Sequence, residues 1–265
     1  MSLCDNVVAP PSRERKVLAL SGVPLVHDGD DLIKIILDAL AASRESLQSG
    51  DVIVIAQKIV SKAEGRMARL DSVKPSPRAL ELAAVVDKDP RLIELILSES
   101  NEVLRARKEV IIVAHRLGFV MANAGIDLSN IEQGDTDSTA LLLPIDPDAT
   151  CAVLRRRLAE KTNADVGVII NDSHGRAWRN GAVGVAIGAA GIAALLDLRA
   201  EPDLFGRPLR ITQVGLADEL ASAASLMMGQ AHEGCPIVLL RGVPYARREG
   251  AARELIRAKT QDMFR

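Results

Sequence analysis

Aromatic residues are scarce: one Trp, one Tyr and three Phe make up 2% of the 265 residues, whereas apolar residues as a whole reach 48%. The interior must therefore be built from Ala, Val, Leu and Ile, with little ring surface for stacking, and so aliphatic a core suits an α/β or α+β enzyme. Cysteine is scarce too. Cys4, Cys151 and Cys235 are odd in number, far apart and never spaced CxxC, which argues against a disulfide framework or a zinc site and points to a reducing cytoplasm. Charge of one sign is missing: 33 Lys and Arg stand against 35 Asp and Glu, a net charge of -2. No global field draws in nucleic acid or an anionic membrane, so an anionic substrate must be met locally. No apolar run reaches the roughly 18 residues of a spanning helix, and residues 1–11 lack the basic-then-apolar pattern of a signal peptide. The familiar nucleotide signatures are also missing. There is no GxxxxGKS/T loop, and Gly181, Gly184, Gly188 and Gly191 are not spaced as GxGxxG, so any nucleotide site is of another kind.

What remains is strongly patterned. Residues 16–20 and 51–56 (DVIVIA) read as strands, the second of them buried. Asp31 opens a helix in which Leu32, Ile35, Ile36, Ala39 and Leu40 recur at helical spacing. Pro75 and Pro77 break the chain before two helices, 78–86 and 91–99, the latter begun by Asp89 and Pro90. Residues 110–114 and 117–122 read as paired strands, 166–170 as another and 236–241 as the last. Residues 181–191 carry too many glycines for a helix, which implies a backbone passing close to a ligand or another strand. Residues 216–228 form a helix closed by Gly229, residues 247–259 read as a charged terminal helix, and 132–138 as a loop. The length allows one large domain or two interlocked smaller ones, with no legible boundary.

Three polar segments follow strands. Residues 57–66 (QKIVSKAEGR) set Lys58, Lys62 and Arg66 beside Ser61 just past a buried strand, a composition able to neutralise phosphate oxygens; a solvated charged turn accounts for the same residues. Residues 123–130 (NAGIDLSN) set Asp127 among amides and a hydroxyl, the oxygen donors that a hard divalent cation takes; an Asx turn explains them equally well. Residues 171–179 (NDSHGRAWR) place Asp172 and Ser173 at the C-terminal end of a strand, backed by two arginines. There His174 reads as a base or as a turn histidine with a structural hydrogen bond, and Trp178 as a core or interface residue rather than a substrate platform. Asp218 and Glu219 suit the first turn of their helix without any further role. Residues 229–234 (GQAHEG) make a turn that either wraps a ligand or simply joins helix to strand.

Together with residues 22–25 (GVPL), 143–148 (LPIDPD), 217–221 (ADELA) and Met228-Gly229, these segments resemble, in order, the coenzyme F420-0:L-glutamate ligase family over about residues 22–242. The resemblance implies an unusual α+β (mixed α/β) fold of two lobes with mixed and antiparallel sheets, and an intertwined homodimer. It implies a single γ-glutamyl ligase unit over 1–265, without the fused flavin-reductase-like domain of some relatives. The implied reaction is GTP-dependent addition of L-glutamate to the lactyl-phosphate side chain of the deazaflavin coenzyme F420-0, with a second glutamate joined through a γ-linkage. Mg²⁺ or Mn²⁺ is implied as the metal and K⁺ as an optional accessory ion. Carried over by position, Val23, Pro24, Leu25, Val26, Gln57, Lys58, Lys62 and Asn130 look like GTP-binding positions, as do the turn residues Met228, Gly229, Gln230, Ala231, His232, Glu233, Gly234 and Cys235. Asp127 and Asp172 would hold one metal, Ser173 with Gln230 would lie at a second, and Asp127, Asp172 and Lys62 would carry the catalysis. The family commonly has Thr at position 173 and Glu at position 230. Ser173 keeps the hydroxyl, but Gln230 keeps only a carbonyl oxygen and loses a negative charge, which weakens a second metal. Two other readings stay open: a related ligase acting on another carboxylated metabolite, and a catalytically weak nucleotide- or coenzyme-binding protein.

Overall fold

The computed structural model describes residues 14–128 and 139–263; Asn130 and the loop expected at 132–138 lie outside them. In chain order the elements are β1 (Lys16–Ala19), α1 (Leu32–Ala42), β2 (Val52–Ala56), α2 (Gln57–Ala63), β3 (Met67–Arg69), α3 (Pro77–Val86), α4 (Pro90–Ser98), β4 (Ser100–Arg107), β5 (Val110–His115) and β6 (Val120–Ala122). They continue with β7 (Thr139–Leu141), α5 (Pro147–Thr162), β8 (Gly167–Arg176), β9 (Arg179–Ala190), β10 (Leu195–Asp197), β11 (Gln213–Gly215), α6 (Leu216–Met228) and β12 (Ile237–Arg241). Among the described residues no helix is long and apolar enough to cross a membrane.

The architecture is α+β with mixed sheets. Five strands form the main sheet in the order β1-β12-β2-β8-β9, with β2 and β8 parallel and the other neighbours antiparallel. The central strands are apolar on both faces, which requires both faces to be covered. Ile53, Ile55, Val168, Ile170, Ile237 and Leu239 face one core with residues of α1 and α5, while Val52, Val54, Ile169, Val238 and Leu240 face another with α6. A third core, made by residues 70–142 alone, packs α3 and α4 against the antiparallel sheet β4-β5-β6.

The glycine-rich run is strand β9. Its glycines mark where helices press on the sheet: a Cβ on Gly184 would lie 2.6 Å from the Ala221 carbonyl oxygen of α6, and one on Gly188 2.5 Å from that of Pro147 at the start of α5. The close approach expected from sequence is real: at Gly184 the nearest neighbour is Asn171 Oδ1 of strand β8, 2.5 Å from such a Cβ, with α6 next, and at Gly188 it is α5.

Three expectations need correction. Residues 171–175 do not follow a strand; they are part of β8, which runs on to Arg176. The expected terminal helix at 247–259 is absent, and Ala252–Leu255 and Lys259–Gln261 are isolated 3-10 turns. Tertiary partners take the amides that a helix would use: Ala252 N donates to Asp148 Oδ1 at 2.7 Å and Arg253 N to Asp148 Oδ2 at 3.4 Å. For Trp178 the core half of the core-or-interface reading fails: it is 86% exposed, at the turn between β8 and β9.

Candidate active site

The register of the main sheet gathers distant segments at one edge. Parallel β2 ends there, with Ala56 opposite Asn171 of β8, which runs on to Arg176 beyond its partner. Antiparallel β12 begins there, Ile237 opposite Ile55, and Ala56 N donates to the Pro236 carbonyl at 2.8 Å. The chain leaves β1 at the same edge, where Leu20 N donates to the Ile237 carbonyl at 2.9 Å. Strand ends of this kind are where α/β sheets present ligand-binding groups. A cavity of about 1130 Å³ opens here, lined by Leu25, Val26, Gln57, Lys58 and Lys62, by Asp127, Asp172 and Ser173, and by the turn from Met228 to Cys235.

The cavity thus brings together most of the residues singled out from sequence. Val23 instead packs against the main core, and neither it nor Pro24 is among the cavity's lining. Asn130 lies outside the described residues. His27, Ile59 and Met67 also line the cavity; Ile59 is an apolar residue within the 57–66 motif, while His27 and Met67 flank the motifs, and only the periodicity of α2 and the proximity of His27 to the GVPL segment could have signalled them.

Asp127 arrives from the neighbouring core. It exchanges backbone hydrogen bonds with Leu141 at 3.0 and 2.9 Å, and Leu141 pairs with Met67 of β3, which follows α2. Its carboxylate accepts from Gln57 Nε2 at 3.1 Å and lies 3.4 Å from Lys58 Nζ. Ser61 Oγ donates to Gln57 Oε1 at 2.9 Å, which turns the amide NH₂ toward Asp127. Gln57 is itself only 2% exposed, so its role in this arrangement is to orient Asp127. Upstream, Asn123, Ala124 and Gly125 all have positive φ, 53°, 53° and 66°. Two of the three carry side chains, so the turn stores strain just before Asp127. Lys88 Nζ pins it by donating to Asn123 Oδ1 at 2.8 Å, and burial holds that ammonium below its usual pKa.

Strand β8 supplies the opposite wall. His174 Nε2 lies 2.9 Å from Asp172 Oδ2, but its N–H is misaligned and has no hydrogen-bond partner, so the contact is an ion-pair distance rather than a directed bond. The imidazole packs edge-on to Phe119, with ring centroids 6.2 Å apart. Nearby, burial pushes the Asp218 carboxyl up, opposed by the Ala186 N–H and by His174. Ser173 Oγ donates to Gln230 Oε1 at 2.9 Å, and Gln230 Nε2 donates to Ser225 Oγ at 3.1 Å.

The carboxylates of Asp127 and Asp172, the Ser173 hydroxyl and the Gln230 amide carbonyl therefore line one cavity, with Glu233 as a third carboxylate in its lining, and the first four are oxygen donors of the sort Mg²⁺ or Mn²⁺ takes. The buried Asn171 Oδ1 beside them has no hydrogen-bond partner. Among the described residues no three His, Cys, Asp or Glu side chains are grouped to hold a metal alone. An ion here would rest on one or two carboxylates and on substrate phosphates, as Mg²⁺ commonly does. The donor set fits such an ion.

A cleft that sets carboxylate, hydroxyl and amide oxygens beside two lysines at the edge of an α+β sheet suits an anionic ligand bound together with a cation. The chain belongs to the F420-0:gamma-glutamyl ligase family, whose model matches residues 22–242. It is 48% identical over 251 residues to the coenzyme F420:L-glutamate ligase of Methanothermobacter thermautotrophicus, covering 94% of this chain and 98% of that protein. The enzyme of the same name from Methanopyrus kandleri is 48% identical over 255 residues, and that from Archaeoglobus fulgidus 42% over 250, each covering 94% of this chain and 98% and 96% of theirs.

Proposed function

We propose that this chain is a ligase that joins L-glutamate to coenzyme F420-0 by an amide bond, using GTP and a divalent cation. The observation that carries the proposal is the convergence of Lys62, Asp127, Asp172, Ser173 and Gln230 on one cavity in a member of this family. A carboxylate does not acylate an amine in water without activation. The terminal carboxylate of the coenzyme side chain attacks the γ-phosphorus of GTP, forming a new O–P bond as the bond to GDP breaks. The glutamate amine then forms a C–N bond at the activated carbonyl carbon while phosphate leaves and the amine gives up a proton.

In phosphoryl transfer a protein mainly positions groups and neutralises charge. Lys62 is assigned to the transferring phosphates, with the turn from Met228 to Cys235 around the nucleotide. Asp127 and Asp172 are assigned to Mg²⁺ or Mn²⁺, which when bound supplies charge neutralisation along the phosphoryl group. Gln57 and Lys58 hold the Asp127 carboxylate in place. A second, γ-linked glutamate, an accessory K⁺, a homodimer and a cytoplasmic location belong to the same reading.

The replacement of the family's usual Glu by Gln230 supports one alternative, a related ligase that uses another carboxylated acceptor. Phosphate release from GTP separates the two when coenzyme F420-0 and L-glutamate are supplied singly and together. Release that needs both is the expected result. Release that needs L-glutamate and a different carboxylated acceptor supplied in place of the coenzyme favours the alternative, and no release with any acceptor and either metal overturns both.

A further inference from the structure

Trp178 is the chain's single tryptophan and is 86% exposed. It lies in the two-residue turn between β8 and β9, with Arg176 paired to Arg179 across it. Its φ is +65°, a left-handed backbone that Gly or Asn adopts readily and a bulky residue rarely does. Neither the turn nor burial therefore selects an indole at this position, in a chain with only 2% aromatic residues. The turn caps the strand that carries Asp172 and Ser173 into the cavity. Arg176 stands three residues beyond Ser173, about 10 Å of extended strand at ~3.3 Å per residue, and Trp178 lies just past it. Arg176 Nη1 donates to the Gly181 carbonyl at 3.0 Å and braces the arm on which the indole stands.

We infer that this hairpin tip is the platform for the ring end of the coenzyme. The indole of Trp178 stacks on the flat deazaflavin heterocycle, and Arg176 and Arg179 face the phosphate-bearing chain that runs from the ring to the carboxylate. The inference rests on the ligase reading, which supplies a substrate with a flat ring at one end, an anionic chain between and a reacting carboxylate at the other. One strand then serves both ends, with the chemistry at Asp172 and Ser173 and ring recognition at the turn. An exposed indole in a turn bounded by two arginines suits a flat ring on an anionic chain.

Because Trp178 is the only tryptophan, intrinsic tryptophan fluorescence reports this position alone. The full-length protein is titrated with coenzyme F420-0 without GTP or glutamate, and binding is measured in parallel by equilibrium dialysis for the native protein, Trp178→Ala and Trp178→Phe. Saturable quenching is expected. In the alanine variant the coenzyme Kd and KM should rise on the order of tenfold, with most of the loss recovered by Trp178→Phe and the GTP KM and the mass in solution unmoved. Unquenched binding, an equal Kd in the alanine variant, an altered mass with a matching rise in the GTP KM, or no coenzyme binding at all would each overturn the platform. Native protein that binds with quenching yet forms no product leaves the platform standing and overturns the ligase reading instead.

Discussion

Ser173 Oγ donates a hydrogen bond to Gln230 Oε1 at 2.9 Å, tying strand β8 to the turn that follows α6. A carboxylate at position 230 would present the same oxygen with a full negative charge, and cation affinity in all-oxygen sites rises with ligand charge. Gln230→Glu should lower the Mg²⁺ or Mn²⁺ concentration for half-maximal GTP turnover about tenfold, a gain of ~1.4 kcal/mol. Metal titration of phosphate release measures it. An unchanged titration removes residue 230 from the metal site.

Asp172→Ala should abolish metal-dependent GTP turnover while circular dichroism and thermal midpoint stay near native, because the carboxylate is assigned to the cation rather than to the core. A folded variant with native turnover contradicts the assignment. Lys62→Ala should raise the GTP KM by about tenfold or more, the scale of one charge-assisted phosphate contact. An unchanged KM and rate would return Lys62 to the role of a solvated surface charge.

Glu99 accepts hydrogen bonds from Arg66 and Arg116, each at 2.9 Å. Burial pushes its carboxyl up. The guanidinium groups, with His115 Nε2 at 3.6 Å and beyond hydrogen-bond reach, outweigh burial and hold the pKa at about 2 against a usual 4.5. Because the folded value lies below the unfolded one, this stabilisation is fully present above pH 4.5 and disappears as pH falls toward 2. Arg66 also donates to the Leu143 carbonyl at 2.8 Å, so the cluster joins the end of α2 to the chain after β7. Glu99→Gln should cost ~2–3 kcal/mol at neutral pH and flatten the acid limb of stability. Urea unfolding at a series of pH values tests this, and an acid limb as steep as the native one contradicts it.

Gly188→Ala and Gly175→Ala make a matched pair on the β8–β9 hairpin. A Cβ at Gly188 would strike the backbone of Pro147, whereas one at Gly175 meets nothing within 4 Å. The first should lose ~1–3 kcal/mol to overpacking and the second almost nothing, as read by urea midpoints. Equal effects would mean that α5 is not seated on β9 as described.

Sequence patterning reached far into the fold where burial is periodic. Helix α1 was legible from Leu32, Ile35, Ile36, Ala39 and Leu40, all of them buried, and α6 was legible to both ends. Helix α5 was not read, because only Cys151, Leu154 and Leu158 line its buried stripe beyond Pro147 and charged residues fill the rest, although Asp146-Pro147 carries the same cap signal as Asp89-Pro90. Strand β4 was not read because Asn101, Glu102, Arg105 and Arg107 leave it largely polar and exposed. The terminal segment has helical composition, but the bonds of Ala252 and Leu195 to Asp148 and Glu254 override it. At the site, motif residues were legible one segment at a time. Their convergence was not, since it depends on the parallel pairing of β2 with β8 and on the bridge between Asp127 and Leu141.

The most direct test of the proposed activity is the mass of the product. The purified protein is incubated with coenzyme F420-0, L-glutamate, GTP and Mg²⁺ or Mn²⁺, and the coenzyme is followed by liquid chromatography and mass spectrometry. The account predicts stepwise gain of glutamyl units, dependent on GTP and metal and lost in Asp172→Ala. Coenzyme recovered unchanged while GTP is consumed, or glutamyl addition that proceeds without nucleotide, would contradict it.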